Sequence, residues 1–195
     1  RTSLIGGNTK TPTPSVLYQE KNDYIGGAGI VAQHLKSTGA SVNFTTILGD
    51  DTFKNLVISK MKKSKILMNA IIDSTRPTTH KNTILSGSYK LLKIDNVDNQ
   101  PISEEILKKI SNIIKKSKAD AIIFSDFRHG IFNKKSIPEF TKSIPKKIFK
   151  VADSQVATRW GNITDYVNFD LITPNEREAR FSLADQDSSI SMLSR

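Results

Sequence analysis

The sequence predicts an α/β protein built on a parallel sheet flanked by helices. Three observations carry this reading. Stretches with apolar residues three and four apart alternate along the chain with short apolar or strictly alternating runs, the pattern of strand, helix, strand. One run, "DAIIFSD" at residues 120–126, is continuously apolar, as expected of a strand covered on both faces. Polar residues, mostly aspartates, recur where such runs stop, and parallel sheets bind their ligands at the carboxyl ends of strands.

Residues 3–14, rich in Ser, Thr, Gly and Pro, read as a loop, and Val16 to Tyr24 as a strand with polar interruptions. "YIGGAGIVAQHLKSTGASV" follows, with Gly26, Gly27 and Gly29 at the start of an amphipathic helix. Its Ala28/Ala32 and Val31/Leu35 pairs form one apolar face, and Gly39 is placed to end it. Glycine at a helix start costs conformational entropy, so the cluster needs a reason. Close packing is one; unobstructed N–H groups facing a polar or anionic ligand are another. The spacing is neither that of a dinucleotide fold nor that of a P-loop.

Val42 to Leu48 alternates as a strand closed by Gly49-Asp50-Asp51, and Phe53, Leu56, Val57 and Met61 mark one side of the next helix. Thr78 to Asp95, with Gly87 in its middle, reads as a strand pair. Ser103 is an N-cap candidate for a helix with Glu104 and Glu105 in its first turn and Ile106, Ile110, Ile113 and Ile114 in its buried stripe. A shorter helical piece holds Ile137 and Phe140; "KIFKVADSQ" and "DLITPNEREA" are two more strands with polar ends; Ile190 and Leu193 open another helical pattern. A sheet that starts without its first strand and stops inside a helix reads as part of a larger domain, incomplete at both ends.

Composition narrows the partners. The 195 residues contain no cysteine, which excludes disulfides and thiolate metal sites and agrees with a cytoplasmic setting. Apolar runs are far too short to span a bilayer, so no membrane partner is expected. The net charge of +10 raises a nucleic-acid reading. However, the lysines fall in short groups interleaved with Ile and Leu, as on solvated helix faces, and no aromatic stripe for base stacking accompanies them. No nucleic-acid partner is expected.

The strand-end candidates are Asp50, Asp51, Asp126, Asp153, and Asn175 with Glu178. Each can equally be a turn former or a helix cap. Asn175 and Glu178 have capping-box spacing, and the same spacing sets a carboxylate at a helix start, where it can orient a magnesium-bound water near phosphates. His34, His80 and His129 are scattered, form no metal set, and read as surface or polar core residues.

"GGAGIVAQHLKSTGA" followed by "ILGDD" resembles the N-terminal signature of the ribokinase-like (PfkB) carbohydrate kinases. "RPTTHK", "LLKID", "SDFRHG" and "LITPNEREA" are similar to the branch containing the heptose-phosphate kinase domain of ADP-heptose synthesis. The resemblance implies a ribokinase-like fold with a small β lid from about residues 10–25 and 76–95, and transfer of the ATP γ-phosphoryl group to a sugar or sugar phosphate. It implies substrate contacts at Gly26 and Gly27, at position 30, where Ile30 replaces the family's Asn, and at Asp126 and Arg128. Asn175 and Glu178 match the family's N-x-x-E motif and, with Asp153, are implied in binding nucleotide and Mg2+, Glu178 reaching the metal through water. "ADSQ" stands where heptose kinases commonly have D-P-K, which points to another sugar. The family's G-A-G-D motif, with its catalytic Asp, is expected outside this chain, so the isolated chain is expected to be inactive. Further implied partners are a second copy paired through the lid and a fused or separate nucleotidyltransferase. The rival reading is a non-catalytic sugar-binding or assembly relative.

Overall fold

A computed structural model describes residues 1–7, 13–154 and 163–193. The central segments form as the periodicities require. Helix α1 (Gly27–Ser37) is followed by β3 (Asn43–Leu48), α2 (Thr52–Lys63) and β4 (Leu67–Ile72). After the excursion described below, α3 (Glu104–Lys115), β7 (Ala121–Asp126), α4 (Ser136–Ser143) and β8 (Phe149–Ser154) continue the alternation. The short β9 (Leu171–Ile172), α5 (Glu176–Leu183) and α6 (Ile190–Leu193) close it. β3 pairs with β4 in one parallel sheet, and β7 with β8 and β8 with β9 in another, rather than in the single parallel sheet expected.

Local chemistry sets the boundaries. Gly39 follows the α1 cap residue Thr38 with φ +97°. Ser103 caps α3, its hydroxyl accepting from the Ile106 N–H at 3.3 Å. The buried stripe of α3 is Ile106, Leu107, Ile110 and Ile114, with Ile113 at its margin. These side chains pack with Phe124 of β7, Ile137 and Phe140 of α4 and Ala152 of β8. At about 25 cal/mol per Å² of apolar surface, this cluster is the main source of stability. A smaller cluster, Ala32, Met61 and Ile66, joins α1 to α2 and the chain leading into β4.

The excursion forms a second kind of sheet, of mixed direction: β1 (Thr2–Gly7), β2 (Pro14–Tyr18), β5 (His80–Ser86) and β6 (Tyr89–Asn96), in the order β2-β1-β5-β6. β5 and β6 form the expected hairpin, turning at Gly87 with φ +56°.

Three sequence expectations change. Residues 3–7 belong to a strand, not a loop: β1 pairs antiparallel with β2 and meets β5 at Thr2 and Ser86, the Thr2 hydroxyl donating to the Leu85 carbonyl at 2.8 Å. Partners eighty residues away supply an order that local composition did not announce. The rest of the expected loop, residues 8–12, lies outside the described residues. The strand expected to Tyr24 ends at Tyr18, and residues 19–25 run on as irregular chain. In β7 only one face is sealed: Phe124 and Asp126 are buried, whereas Ile123 on the other face is 37 % exposed.

Candidate functional site

The space between the parallel strands and the sheet of mixed direction is a cavity of about 910 Å³. Its floor comes from the C-terminal halves of β3 and β7, through Thr46, Leu48 and Ser125. The irregular segment 20–25 and the strand β5 form another wall, and the start of α1 a third. The carboxyl ends of parallel strands therefore face the sheet of mixed direction across a partly open cleft of a size suited to a small molecule.

Each glycine at the start of α1 has its own reason. A Cβ on Gly29 would lie 2.6 Å from Ile25 Cγ2, so close packing alone requires glycine there. Gly27 has φ +54°, a conformation that L side chains seldom adopt, and a Cβ there would sit 3.7 Å from the Phe127 ring. Gly26 is different: its φ is −131°, and a Cβ would meet no atom within 4 Å. Nothing in its surroundings demands glycine, and it lines the cavity. No side chain caps α1 and no acid lies in its first turn, so the helix presents its N-terminal dipole uncompensated.

The end of β7 builds a buried polar cluster. Asp126 Oδ1 accepts the Arg128 backbone N–H at 2.7 Å, and Oδ2 accepts the Tyr166 hydroxyl at 2.7 Å and the Ser154 hydroxyl at 3.1 Å. Arg128 Nε lies 2.7 Å from the same Oδ2, and Arg128 Nη2 3.3 Å from Asp165 Oδ2. Burial pushes the Asp126 carboxyl above its ordinary range, against the pull of the Arg128 guanidinium and the hydroxyls of Tyr166 and Ser154. Burial, then the Asp126 charge, pushes the Tyr166 phenol far up, so it stays a donor. Asp126 is only 1 % exposed; Arg128, its neighbour by two residues, lines the cavity.

The remaining predicted residues lie elsewhere. Ile30, 38 % exposed, is not among the residues lining the cavity, and neither are Asp153, Asn175 and Glu178. The latter three gather at the ends of β8 and β9. Thr173 Oγ1 donates to Asp153 Oδ1 at 3.1 Å, and Asn175 and Glu178 form a complete capping box at the start of α5, Asn175 N–H to Glu178 Oε2 at 2.9 Å and Glu178 N–H to Asn175 Oδ1 at 3.0 Å. Gln155 of "ADSQ" lies outside the described residues.

Sequence reasoning missed several cavity residues. His80 and His129, read as surface or polar core, both line it. His80 stacks on Phe53 with ring centroids 4.1 Å apart, and His129 Nδ1 lies 3.0 Å from Asn99 Oδ1. Lys21 Nζ sits 5.6 Å from the Phe53 ring centre. No spacing signal marks them, because they come from four separate segments. Asp165 and Tyr166 were missed for the same reason.

The family profile described as pfkB family carbohydrate kinase matches residues 6–194. The chain belongs to this family. Among its relatives are the bifunctional protein HldE of Aliarcobacter butzleri, 28% identical over 94% of this chain and 40% of the relative, and that of Bradyrhizobium diazoefficiens, 30% identical over 93% and 38%. The chain thus spans about 40% of the length of these curated relatives. Phosphofructokinase-2 from Escherichia coli in complex with fructose-6-phosphate superposes with a TM-score of 0.69 at 13% identity, over 99% of this chain and 62% of that one. Ribokinase from Giardia lamblia gives 0.65 at 13%, over 98% and 58%. These structures establish the ribokinase-like α/β fold, with mixed sheet content and flanking helices.

Proposed function

We propose that this chain is the sugar-binding portion of an ATP-dependent carbohydrate kinase. One observation carries the reading: strand ends, an uncapped glycine-rich helix start and the sheet of mixed direction line one cleft of about 910 Å³. A sugar or sugar phosphate sits there, its hydroxyls approaching Gly26 and Gly27 and the side chain of Arg128. Asp126, turned inward, serves through Arg128 rather than by direct contact. Phosphoryl transfer needs alignment and charge neutralisation more than covalent chemistry, and a preformed cavity beside a helix dipole supplies the first of these for the acceptor.

ATP and Mg2+ belong at the second cluster. Among the described residues no three His, Cys, Asp or Glu side chains converge as a metal cage. A single carboxylate at a helix start nevertheless fits magnesium, which keeps several waters and is bound largely by nucleotide phosphates. The capping box uses Glu178 Oε2, and Oε1 is the oxygen that would accept from a metal-bound water. The metal, when bound, neutralises phosphate charge; Asn175 and Glu178 hold the start of α5 in place, and Asp153 lies beside them. Ile30 in place of the family's Asn favours a second reading, a relative that binds sugar without phosphorylating it. In the first reading the protein works in the cytoplasm; among the described residues no helix is long and apolar enough to cross a membrane. The resemblance to the bifunctional relatives adds a fused or separate nucleotidyltransferase as partner.

The test is calorimetric titration with ribose, fructose 6-phosphate and sedoheptulose 7-phosphate, alone and with MgATP, followed by ADP release from a polypeptide that also carries the family's G-A-G-D segment. Binding with turnover supports the kinase; binding without turnover supports the second reading; no binding by any of the three overturns both. Glu178→Gln separates cap from metal support. Gln caps as well as Glu at that position, so stability should change little. Turnover should fall about 10-fold or more if a water-mediated magnesium contact is lost, a loss of roughly 1.4 kcal/mol or more, and extra Mg2+ should restore part of it. Unchanged turnover would leave Glu178 as a cap.

A further inference from the structure

The polar cluster under the cavity wall is an expensive way to fill space. Asp126 has no exposed side-chain surface and Arg128 is 9 % exposed, yet both are charged groups, and well-packed apolar residues would serve a purely structural role at least as well. Arg128 also holds φ +53°, in the left-handed region, at a residue with a full side chain. Its backbone is fixed there by Asp126 Oδ1, and its guanidinium lies between two carboxylates, Asp126 and Asp165.

Asp165 and Tyr166 reach this point from nearly forty residues away. The 3-10 turn Ile163–Asp165 brings them in, and the Tyr166 ring packs against Phe124 and Phe169, with centroids 6.4 and 5.2 Å away. The ring is thereby locked, and its hydroxyl reaches Asp126 Oδ2 at 2.7 Å.

We propose that Tyr166 and Asp165 are positioning residues: Tyr166 by fixing Asp126, and Asp165 by direct pairing, hold the Arg128 guanidinium in one orientation on the cavity wall for the sugar substrate. This rests on the carbohydrate-kinase reading above. A long cation held from two sides meets its ordering cost on folding, not on binding, which is how a supporting layer sharpens a binding contact.

Two measurements on the 195-residue chain test this. The first needs no ligand: the Arg128 Nε–H signal in 15N-edited NMR, expected to be distinct from its unfolded position in the native chain because Nε lies 2.7 Å from Asp126 Oδ2, should broaden or move toward that unfolded position in Tyr166→Phe. Asp165→Asn, a change at a partly exposed site that leaves the core alone, should move it in the same direction. The second is titration with fructose 6-phosphate, whose dissociation constant should rise roughly two- to tenfold in both variants, the effect of losing one hydrogen bond, with MgATP affinity unchanged. An Arg128 signal unaltered in both variants overturns the positioning role, whatever the melting temperatures do. Altered signals with undiminished fructose 6-phosphate affinity overturn the link to substrate. If the native chain binds none of the three sugars named above, the kinase reading fails, and the NMR comparison still decides whether Tyr166 and Asp165 orient Arg128.

Discussion

Gly26 offers a cleaner test of the site than its neighbour. Gly27→Ala confounds binding with backbone strain, because φ there is +54°. Gly26 has extended backbone and open space where a Cβ would go, so Gly26→Ala brings no strain or clash; as the N-cap of α1 it should cost only about 1 kcal/mol, a few degrees of melting temperature. If a sugar approaches the backbone here, the same methyl should weaken fructose 6-phosphate binding by roughly 10-fold or more, the cost of overpacking a snug contact. Native affinity in Gly26→Ala would confine the glycines to packing and conformation. Residues on this scale were legible where one segment supplies the chemistry. The glycine run, Asn175 with Glu178, and the Asp126-to-Arg128 stretch stand out in the sequence because each is local. The roles within them were not legible: that Gly29 is packed, Gly27 strained and Gly26 open depends on Ile25, Phe127 and the cavity. Asp126 reads as a strand-end candidate, and only the fold shows it turned inward onto Tyr166 and Ser154.

The elements that join the parallel strands to the sheet of mixed direction are clamped from the core. Asp51 caps α2 by accepting the Lys54 N–H at 3.1 Å, and its other oxygen accepts the Thr78 N–H at 2.8 Å, at the entry to β5. Gly49 N–H donates to Thr78 Oγ1 at 2.9 Å, and a Cβ on Gly49 would lie 2.5 Å from the Arg76 carbonyl oxygen. Asp73 pairs with Arg76 at 2.8 Å, and Arg76 reaches the Gln100 carbonyl on the return connection from β6. A Cβ on Gly130 would fall 2.1 Å from that same carbonyl. Burial acts to raise the Asp51 and Asp73 carboxyls, but hydrogen bonds from Thr78 and Lys54 to the one, and from Thr75 and Arg76 to the other, outweigh it and hold both below the ordinary range. A carboxylate with a depressed folded-state pKa stabilises the fold above its unfolded value of about 4, and that stability is lost as pH falls below it. Asp51→Asn and Asp73→Asn should therefore melt below the native chain at pH 7, and the gap should narrow as the pH falls below about 4. Asp126, raised by burial, has the opposite sign but is common to all three chains and cancels in the difference. A gap in melting temperature that stays constant from pH 7 to pH 3 would remove the ionised clamp. Most elements were legible because their apolar periods are long. β1 was not, since its order comes from β2 and β5, and β9 shows itself as only two residues.

At the scale of the molecule, the sheet of mixed direction leaves apolar surface in solvent. Leu4, Leu17, Leu92 and Ile94 are each at least half exposed, and Tyr18 and Tyr89 are about 70 % exposed. β2 and β6 are the outer strands, so their outward N–H and C=O groups are open to pairing among the described residues. An exposed apolar sheet with open edges is the kind of surface that protein contacts cover. The resemblance to ribokinase-like kinases supplies the occupant we propose, a second copy of this chain. Other exposed apolar residues, among them Leu67, Leu171, Phe181 and Met192, lie in other parts of the chain. Lysine on a sheet edge opposes pairing, because a second copy would bring like charges together and bury them. The double substitution Leu92→Lys with Ile94→Lys changes two half-exposed positions on one side of β6, so folding should be little affected. Sedimentation equilibrium should show the native chain associating in the micromolar range and the double variant as a monomer. Monomeric native chain at every concentration up to about 100 μM, where interfaces of ordinary size are populated, would rule out self-association through this sheet. Association that survives the two lysines would move the interface to another face.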